Sequence, residues 1–213
     1  MCTRYFVELS PELRPIIEAA RRSSLADKMV HHLGRPVAKE GEVRPTDISA
    51  VIASNSRGLP GFFPMVWGFT SPASGGPLVN CRVETAGTKP LWKESWERRR
   101  CIIPASWYYE WEHFFSPSGS KKTGDKYAIQ PSGFTVTWLA GLYRIEEGYP
   151  HFAVLTRTPS PELSRIHDRM PVILPSDAIK TWIDPAADAK AVKAIAESSL
   201  TSMIFERAAA HPS

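Results

Sequence analysis

"FTVTWLAGLYRI" (residues 134–145) and "YPHFAVLTRT" (residues 149–158) are dense in β-branched and aromatic side chains. Such residues fit a pleated, half-buried surface, so both stretches read as strands. Upstream, the aromatic run inside "RRRCIIPASWYYEWEHF" (residues 98–114) is a further strand candidate. The polar stretch "FSPSGSKKTGDK" (residues 115–126) then reads as the long loop of a hairpin. Downstream the pattern changes. "SDAIKTWI" (residues 176–183) and "DPAADAKAVKAIAES" (residues 184–198) read as helices with Ser176 and Asp184 as caps.

At the front, "TRYFV" (residues 3–7) is an opening strand. "SPELRPIIEAARRSS" (residues 10–24) is a surface helix with Ser10 as N-cap and Pro11 at its first position. "DISAVIAS" (residues 47–54) alternates and ends at Asn55, whereas "GFFPMVWGFTSP" (residues 61–72) suggests short strands and turns. "SPASGGP" (residues 71–77) is a loop on composition. Strands fill the middle and helices the ends, with no regular βαβ alternation, which predicts an α+β single domain: a largely antiparallel, barrel-like β core flanked by helices. The domain is expected over residues 1–207, and "AAAHPS" (residues 208–213) as a frayed tail.

Composition narrows the class. At 213 residues with 43% hydrophobic and 23% charged side chains, the chain can bury a sizeable core. No run approaches the roughly 18 apolar residues of a membrane span, and the first 30 residues carry Glu8, Glu12 and Glu18 where a signal peptide would be basic and then apolar. A cytoplasmic, nucleoid-associated monomer is expected. Three cysteines without a C-x-x-C pair argue against a disulfide framework and a zinc site. The net charge of +4 is a mild pointer to a polyanionic partner.

Chemistry can be read at four places. In "MCTRYF" (residues 1–6), removal of Met1 leaves Cys2 with an α-amine and a thiol on adjacent carbons, a 1,2-aminothiol that condenses with aldehydes. In "LVNCRVET" (residues 78–85), a strand would set Asn80, Arg82 and Glu84 on one face: an amide to orient a substrate, a guanidinium to grip an anion, a carboxylate to hold the guanidinium. A solvent-facing strand gives the same pattern. In "RRRCIIPASWYYEWEHF", Arg98 to Arg100 form a basic cluster, and Glu110 shares a face with Tyr108. A carboxyl among aromatics has its pKa raised by burial and can move protons near neutrality, unless it points to water. In "LSRIHDRMPVIL" (residues 163–174), His167 ends a short helix beside Arg169 and offers a general acid or base, or a structural histidine. His31, His32, His113, His151 and His211 are given no role.

The chain resembles the SOS response-associated peptidase family, whose members are also called abasic-site processing proteins. The resemblance rests on "MCTRYF", "MVWGF", "NCRVET", "RRRCIIPASWYYEW" and "IHDRMPVIL", which follow one another in the family's order over nearly the whole chain. It implies that Cys2 condenses with the ring-opened aldehyde of an abasic deoxyribose in single-stranded DNA, the amine forming an imine and the thiol closing a thiazolidine. Asn80 would position the amine and sugar, Glu110 would open the furanose, and His167 would act as a second acid or base. Arg4, Arg82 and Arg169 would hold phosphates. Members often carry a tryptophan just after the "WGF"-like segment, where this chain reads "SPASGGP", so base stacking would come from Trp67 or from elsewhere. No metal or other cofactor is implied. Thr3 stands where the family has glycine, and Cys81 where it has alanine, facing the core. Strand incision through the imine is an expected side activity. Two other readings are an N-terminal-cysteine peptidase or amidohydrolase that also processes its own chain, and a non-catalytic single-strand binder.

Overall fold

The structure is a computed structural model, and it describes residues 2–71 and 75–208. The strands are β1 (Arg4–Val7), β2 (Gly41–Val43), β3 (Ile48–Ser54), β4 (Pro60–Trp67), β5 (Asn80–Arg82), β6 (Arg100–Ala105), β7 (Trp107–Phe115), β8 (Lys121–Pro131), β9 (Thr137–Glu146), β10 (Tyr149–Arg157), β11 (Met170–Pro171) and β12 (Met203–Arg207). The helices are α1 (Leu13–Arg21), α2 (Ser24–Leu33), α3 (Val83–Ala86), α4 (Pro90–Arg98), α5 (Ile179–Ile183) and α6 (Ala189–Glu197).

β4, β3, β6, β9 and β10 pair in that order, and β10 returns to pair with β4, closing a five-stranded barrel. All of these pairings are antiparallel except β10 with β4. A second sheet, in the order β12-β8-β7-β1-β2, packs beside it. The expected α+β fold with a barrel-like core is therefore the observed one. Closure explains the composition of β3 and β6, whose residues are almost all buried: one face fills the barrel and helices cover the other, α1 over β3 and α4 over β6. Strands covered on both faces become continuous apolar runs. "DISAVIAS" is such a run rather than an alternating one.

Several local readings need correction. "GFFPMVWGFTSP" is mostly one strand, since Pro64 sits inside β4 opposite Ala50. The long loop read over residues 115–126 shrinks to 116–120, because the lysines and Gly124 belong to β8. Helix α6 begins after Asp188, whose carboxylate accepts from the Lys190 and Ala191 N–H groups, so Asp188 and not Asp184 is the cap. Ser176 opens a short 3-10 turn ahead of α5 without a side-chain cap. Ser10 accepts from the Leu13 N–H (3.2 Å), but Pro11 and Glu12 form a turn before α1 begins. Neither α2 nor β12 was marked by the local pattern. Part of the "SPASGGP" loop and the tail from residue 209 lie outside the described residues.

The basic cluster at 98–100 divides. Arg98 is exposed, but Arg100 is 2% exposed and reaches back to the ends of two helices. Its guanidinium donates to the carbonyls of Trp96 and Glu97 in α4, and to those of Trp182 and Asp184 at the end of α5. Helix C-termini leave carbonyls unpaired and carry partial negative charge, so one buried cation satisfies both ends. Arg100→Gln is expected to lower stability by about 3–5 kcal/mol, the scale of breaking a buried charged network. Arg98→Gln should stay within about 0.5 kcal/mol. Urea denaturation of the two variants checks this.

Candidate active site

The site is assembled where β10 leaves the barrel. Its first half is held by β9 on one edge and by β4 on the other, at His151 and Phe152. Beyond the end of β4, β5 takes over that edge, setting Asn80 opposite Val154 and Arg82 opposite Thr156. β11 pairs with Thr156 and Arg157, which brings the preceding residues His167 to Arg169 to the same end. β7 supplies Glu110, and β1 lies against β7 with Arg4 opposite Tyr109, so the chain start arrives there too.

The Asn80 side-chain N–H donates to the Cys2 carbonyl at 2.8 Å, across 78 residues of sequence. The Asn80 Oδ1 is buried without a partner among the described residues. Cys2 is fully buried, and burial together with the neighbouring Glu110 pushes its thiol pKa well up, keeping it protonated. Thr3 and Arg4 line a cleft of about 600 Å³ with Arg82, Glu110, Trp111, His113, His167, Asp168 and Arg169. Cys2, one residue before Thr3, is enclosed beside that cleft and does not form its wall.

Glu110 faces inward with Tyr108, as the strand pattern suggested, and is 3% exposed. Burial, with a smaller push from Asp168, raises its carboxyl to about 7. Its Oε2 lies 4.0 Å from the His167 Nε2. At the other ring nitrogen, His167 Nδ1 meets both a donor, the Arg169 backbone N–H (3.0 Å), and an acceptor, Asp168 Oδ1 (2.7 Å). A deprotonated Nδ1 accepts from Arg169, and a protonated one donates to Asp168. The ring therefore has a partner for Nδ1 in either state, as a residue that takes and returns protons requires. His167 sits in a series of turns, not at the end of a helix.

The cations differ in how far they are engaged. The Arg4 guanidinium donates to the Thr3 carbonyl and pairs with Glu42 (3.2 Å). Arg169 forms a two-point fork with Glu84, both contacts at 2.8 Å, and donates to the Thr156 carbonyl. Glu84 lies on α3, not on a strand face with Arg82, and the guanidinium it holds is that of Arg169. Arg82 is exposed, and its side chain has no hydrogen-bond or ion-pair partner among the described residues.

Trp67 is not in the cleft. It is fully buried, stacks on Phe152, packs against Tyr5, and donates its indole N–H to the Val79 carbonyl at 3.1 Å. No face is left for a base, so the expected stacking role does not fit its position. Cys81 is a core residue. His113, given no role from sequence, lines the cleft with its ring 4.7 Å from that of His167. At this point one residue of β7, Glu112, stands opposite two of β8, Gly124 and Asp125, so the bulge lies on β8.

Fold and site together define a single-domain α+β protein with a cysteine at position 2 beside a carboxyl–imidazole pair. The family described as SOS response associated peptidase (SRAP) matches residues 1–209, and the chain belongs to that family. It is 32% identical to abasic site processing protein YoaM of Bacillus subtilis over 163 residues, which cover 68% of this chain and 69% of YoaM. It is 31% identical to abasic site processing protein YedK of Escherichia coli over 144 residues, 63% of this chain and 60% of YedK. The fold is shared with a solved protein from Bacteroides thetaiotaomicron (TM-score 0.71, 18% identity, 97% of this chain and 91% of that one). It is also shared with a solved phage-related protein from Bordetella bronchiseptica (TM-score 0.67, 21% identity, 98% of this chain and 94% of that one).

Glu110 makes stability depend on pH. Between its ordinary value of 4.5 and its folded value of about 7, the folded chain holds a proton that the unfolded chain has released. Stability therefore falls as pH rises through that window and levels off above it, by about 3 kcal/mol in the limit. Glu110→Gln should flatten this decline, so the variant gains on the wild type between about pH 5 and pH 8 in urea denaturation.

Proposed function

We propose that this chain captures abasic sites in single-stranded DNA as a covalent adduct on Cys2, once Met1 has been removed. The observation that carries the reading is the Asn80 tie to the Cys2 carbonyl, set beside a buried carboxyl that titrates at about 7. The naming of its relatives as abasic site processing proteins supports it.

An abasic deoxyribose is mostly a closed hemiacetal, and opening it means taking a proton from the anomeric hydroxyl and giving one to the ring oxygen. A carboxyl half-protonated at neutral pH can do both, and His167 offers a second carrier. The freed α-amine, with an ordinary pKa near 8, attacks the aldehyde, and loss of one water gives the imine. The Cys2 thiol then adds across the C=N bond, its sulfur bonding to carbon and its proton going to nitrogen, which closes the thiazolidine. The thiol thus supplies both the sulfur and the proton. Asn80 Oδ1, an acceptor without a partner among the described residues, would take an N–H or a sugar hydroxyl. Arg82, exposed and unengaged among the described residues, is the best placed of the three arginines to take a phosphate, while Arg4 and Arg169 would have to share theirs with Glu42 and Glu84.

Strand incision follows from the same imine, which acidifies the neighbouring sugar C–H and allows a base to expel the 3′ phosphate. A general peptidase working through a thiolate is less well supported, because burial drives the thiol pKa in the opposite direction.

Uracil-containing single strands treated with uracil glycosylase, mixed with protein and heated before gel electrophoresis, test the reading. The Met1-free protein should give a heat-stable adduct. An N-terminally tagged protein should bind without forming one, since an amide nitrogen cannot make an imine. Glu110→Gln should slow adduct formation by roughly 10²-fold. Heat-stable adducts from the blocked protein would point to another nucleophile and end the proposal.

A further inference from the structure

A second cavity, of about 550 Å³, adjoins the cleft and takes no part in the chemistry described so far. It lies between α3, α4, α6 and the end of β10, and its lining includes Glu84, Trp96, Arg157, Thr158 and Lys193. The two spaces share a wall. Glu84 lines the cavity, while Arg169, which forks onto it, lines the cleft. Arg82 lines the cleft two residues before Glu84, with its guanidinium exposed.

One cation of the cavity is left without a carboxylate partner. Its two carboxylates already have cations: Glu84 is held by Arg169, and Glu197 lies 3.8 Å from Lys193. Arg157 lines the cavity with no ion pair among the described residues, and its Nη1 is buried without a hydrogen-bond partner. A buried donor with no acceptor is costly, and a bound anion would relieve that cost. An aromatic wall accompanies the charge. Trp96 is set edge-on against Trp182, with ring centroids 5.8 Å apart. Gly87 leans on the indole so closely that an added Cβ would meet it at 3.2 Å, which fixes the ring in place. The volume falls within the range of roughly 300–1,000 Å³ that takes a ligand of nucleotide size.

We infer that this cavity is a second subsite for the same single strand: a nucleotide flanking the captured sugar enters it, with its phosphate at Arg157 and its base against Trp96. The inference rests on the proposed DNA substrate and deepens it. A strand leaving the cleft past Arg82 meets the cavity next. The stacking surface that Trp67 cannot provide is then supplied by Trp96, on the far side of the Glu84–Arg169 pair.

The test uses an intact single strand of about 15 nucleotides with no abasic site, so that no adduct chemistry enters. Arg157→Gln and Lys193→Glu are each expected to weaken binding by about 3- to 10-fold, with the salt dependence of affinity shallower by about one for Arg157→Gln. Lys193 is 74% exposed, so its variant reads the subsite even where Arg157→Gln disturbs folding. Wild-type affinity in Lys193→Glu, together with an unchanged salt slope in any folded Arg157→Gln, overturns the subsite. If the wild type itself does not bind the intact strand, the subsite falls. If both variants weaken binding but abasic strands give no adduct, capture falls and the subsite stands.

Discussion

The structure depends on one strand changing partners. β10 closes the barrel with its first half and carries the site on its second, because β4 stops at Trp67 and leaves that edge open. Gly68, at φ +120°, turns the chain away there; an added Cβ would lie 2.6 Å from Pro77, so only glycine fits the turn. The chain returns as β5 and takes the vacated edge. Trp67 marks the switch: it packs on Tyr5 of β1 and Phe152 of β10, and its indole N–H holds Val79 just ahead of β5. It builds the site by fixing the strands that deliver Cys2 and Asn80, and it cannot at the same time face DNA.

Burial sets the chemistry of that site. The same enclosure that keeps Glu110 protonated up to about 7 keeps the Cys2 thiol protonated. Both groups hold protons near neutrality, and the loss of water that forms the imine needs a proton donor. A thiolate nucleophile would need the opposite environment, a cation or a helix N-terminus close by. Of the cations at this end of the barrel, Arg4 is paired with Glu42 and Arg169 with Glu84, while Arg82 is exposed.

The α+β class with a largely antiparallel core was legible in the sequence because strand patterns fill the middle of the chain and helical ones lie near its ends. Closure of the barrel, in contrast, shows only in the pairing of β10 with both β4 and β9. Strand periodicity puts Glu110 on the face of Tyr108, but only the packing shows that this face turns inward. Other features depended on contacts between distant segments. Arg98 and Arg100 look alike in sequence, and only the two helix ends that meet at Arg100 separate them. Glu84 was read as a partner of Arg82 through strand periodicity, but the strand ends at Arg82 and the first turn of α3 carries Glu84 to Arg169. Alternation along β7 sets His113 on the face of Trp111, and no local pattern shows that this face meets the turns that carry His167. Trp67 was misplaced because its motif fixes the residue type and says nothing of which side the ring takes.

The central claim is that the amine and the thiol of Cys2 both bond to one sugar carbon. Mass spectrometry of the N-terminal peptide, after nuclease and protease digestion of the protein reacted with abasic single strands, tests it most directly. The expected peptide begins at Cys2 and carries the abasic sugar less one water. Its cysteine should no longer react with alkylating reagents, and borohydride should leave it unchanged. A sugar on an internal lysine, or on a Cys2 whose thiol still alkylates, would contradict the claim.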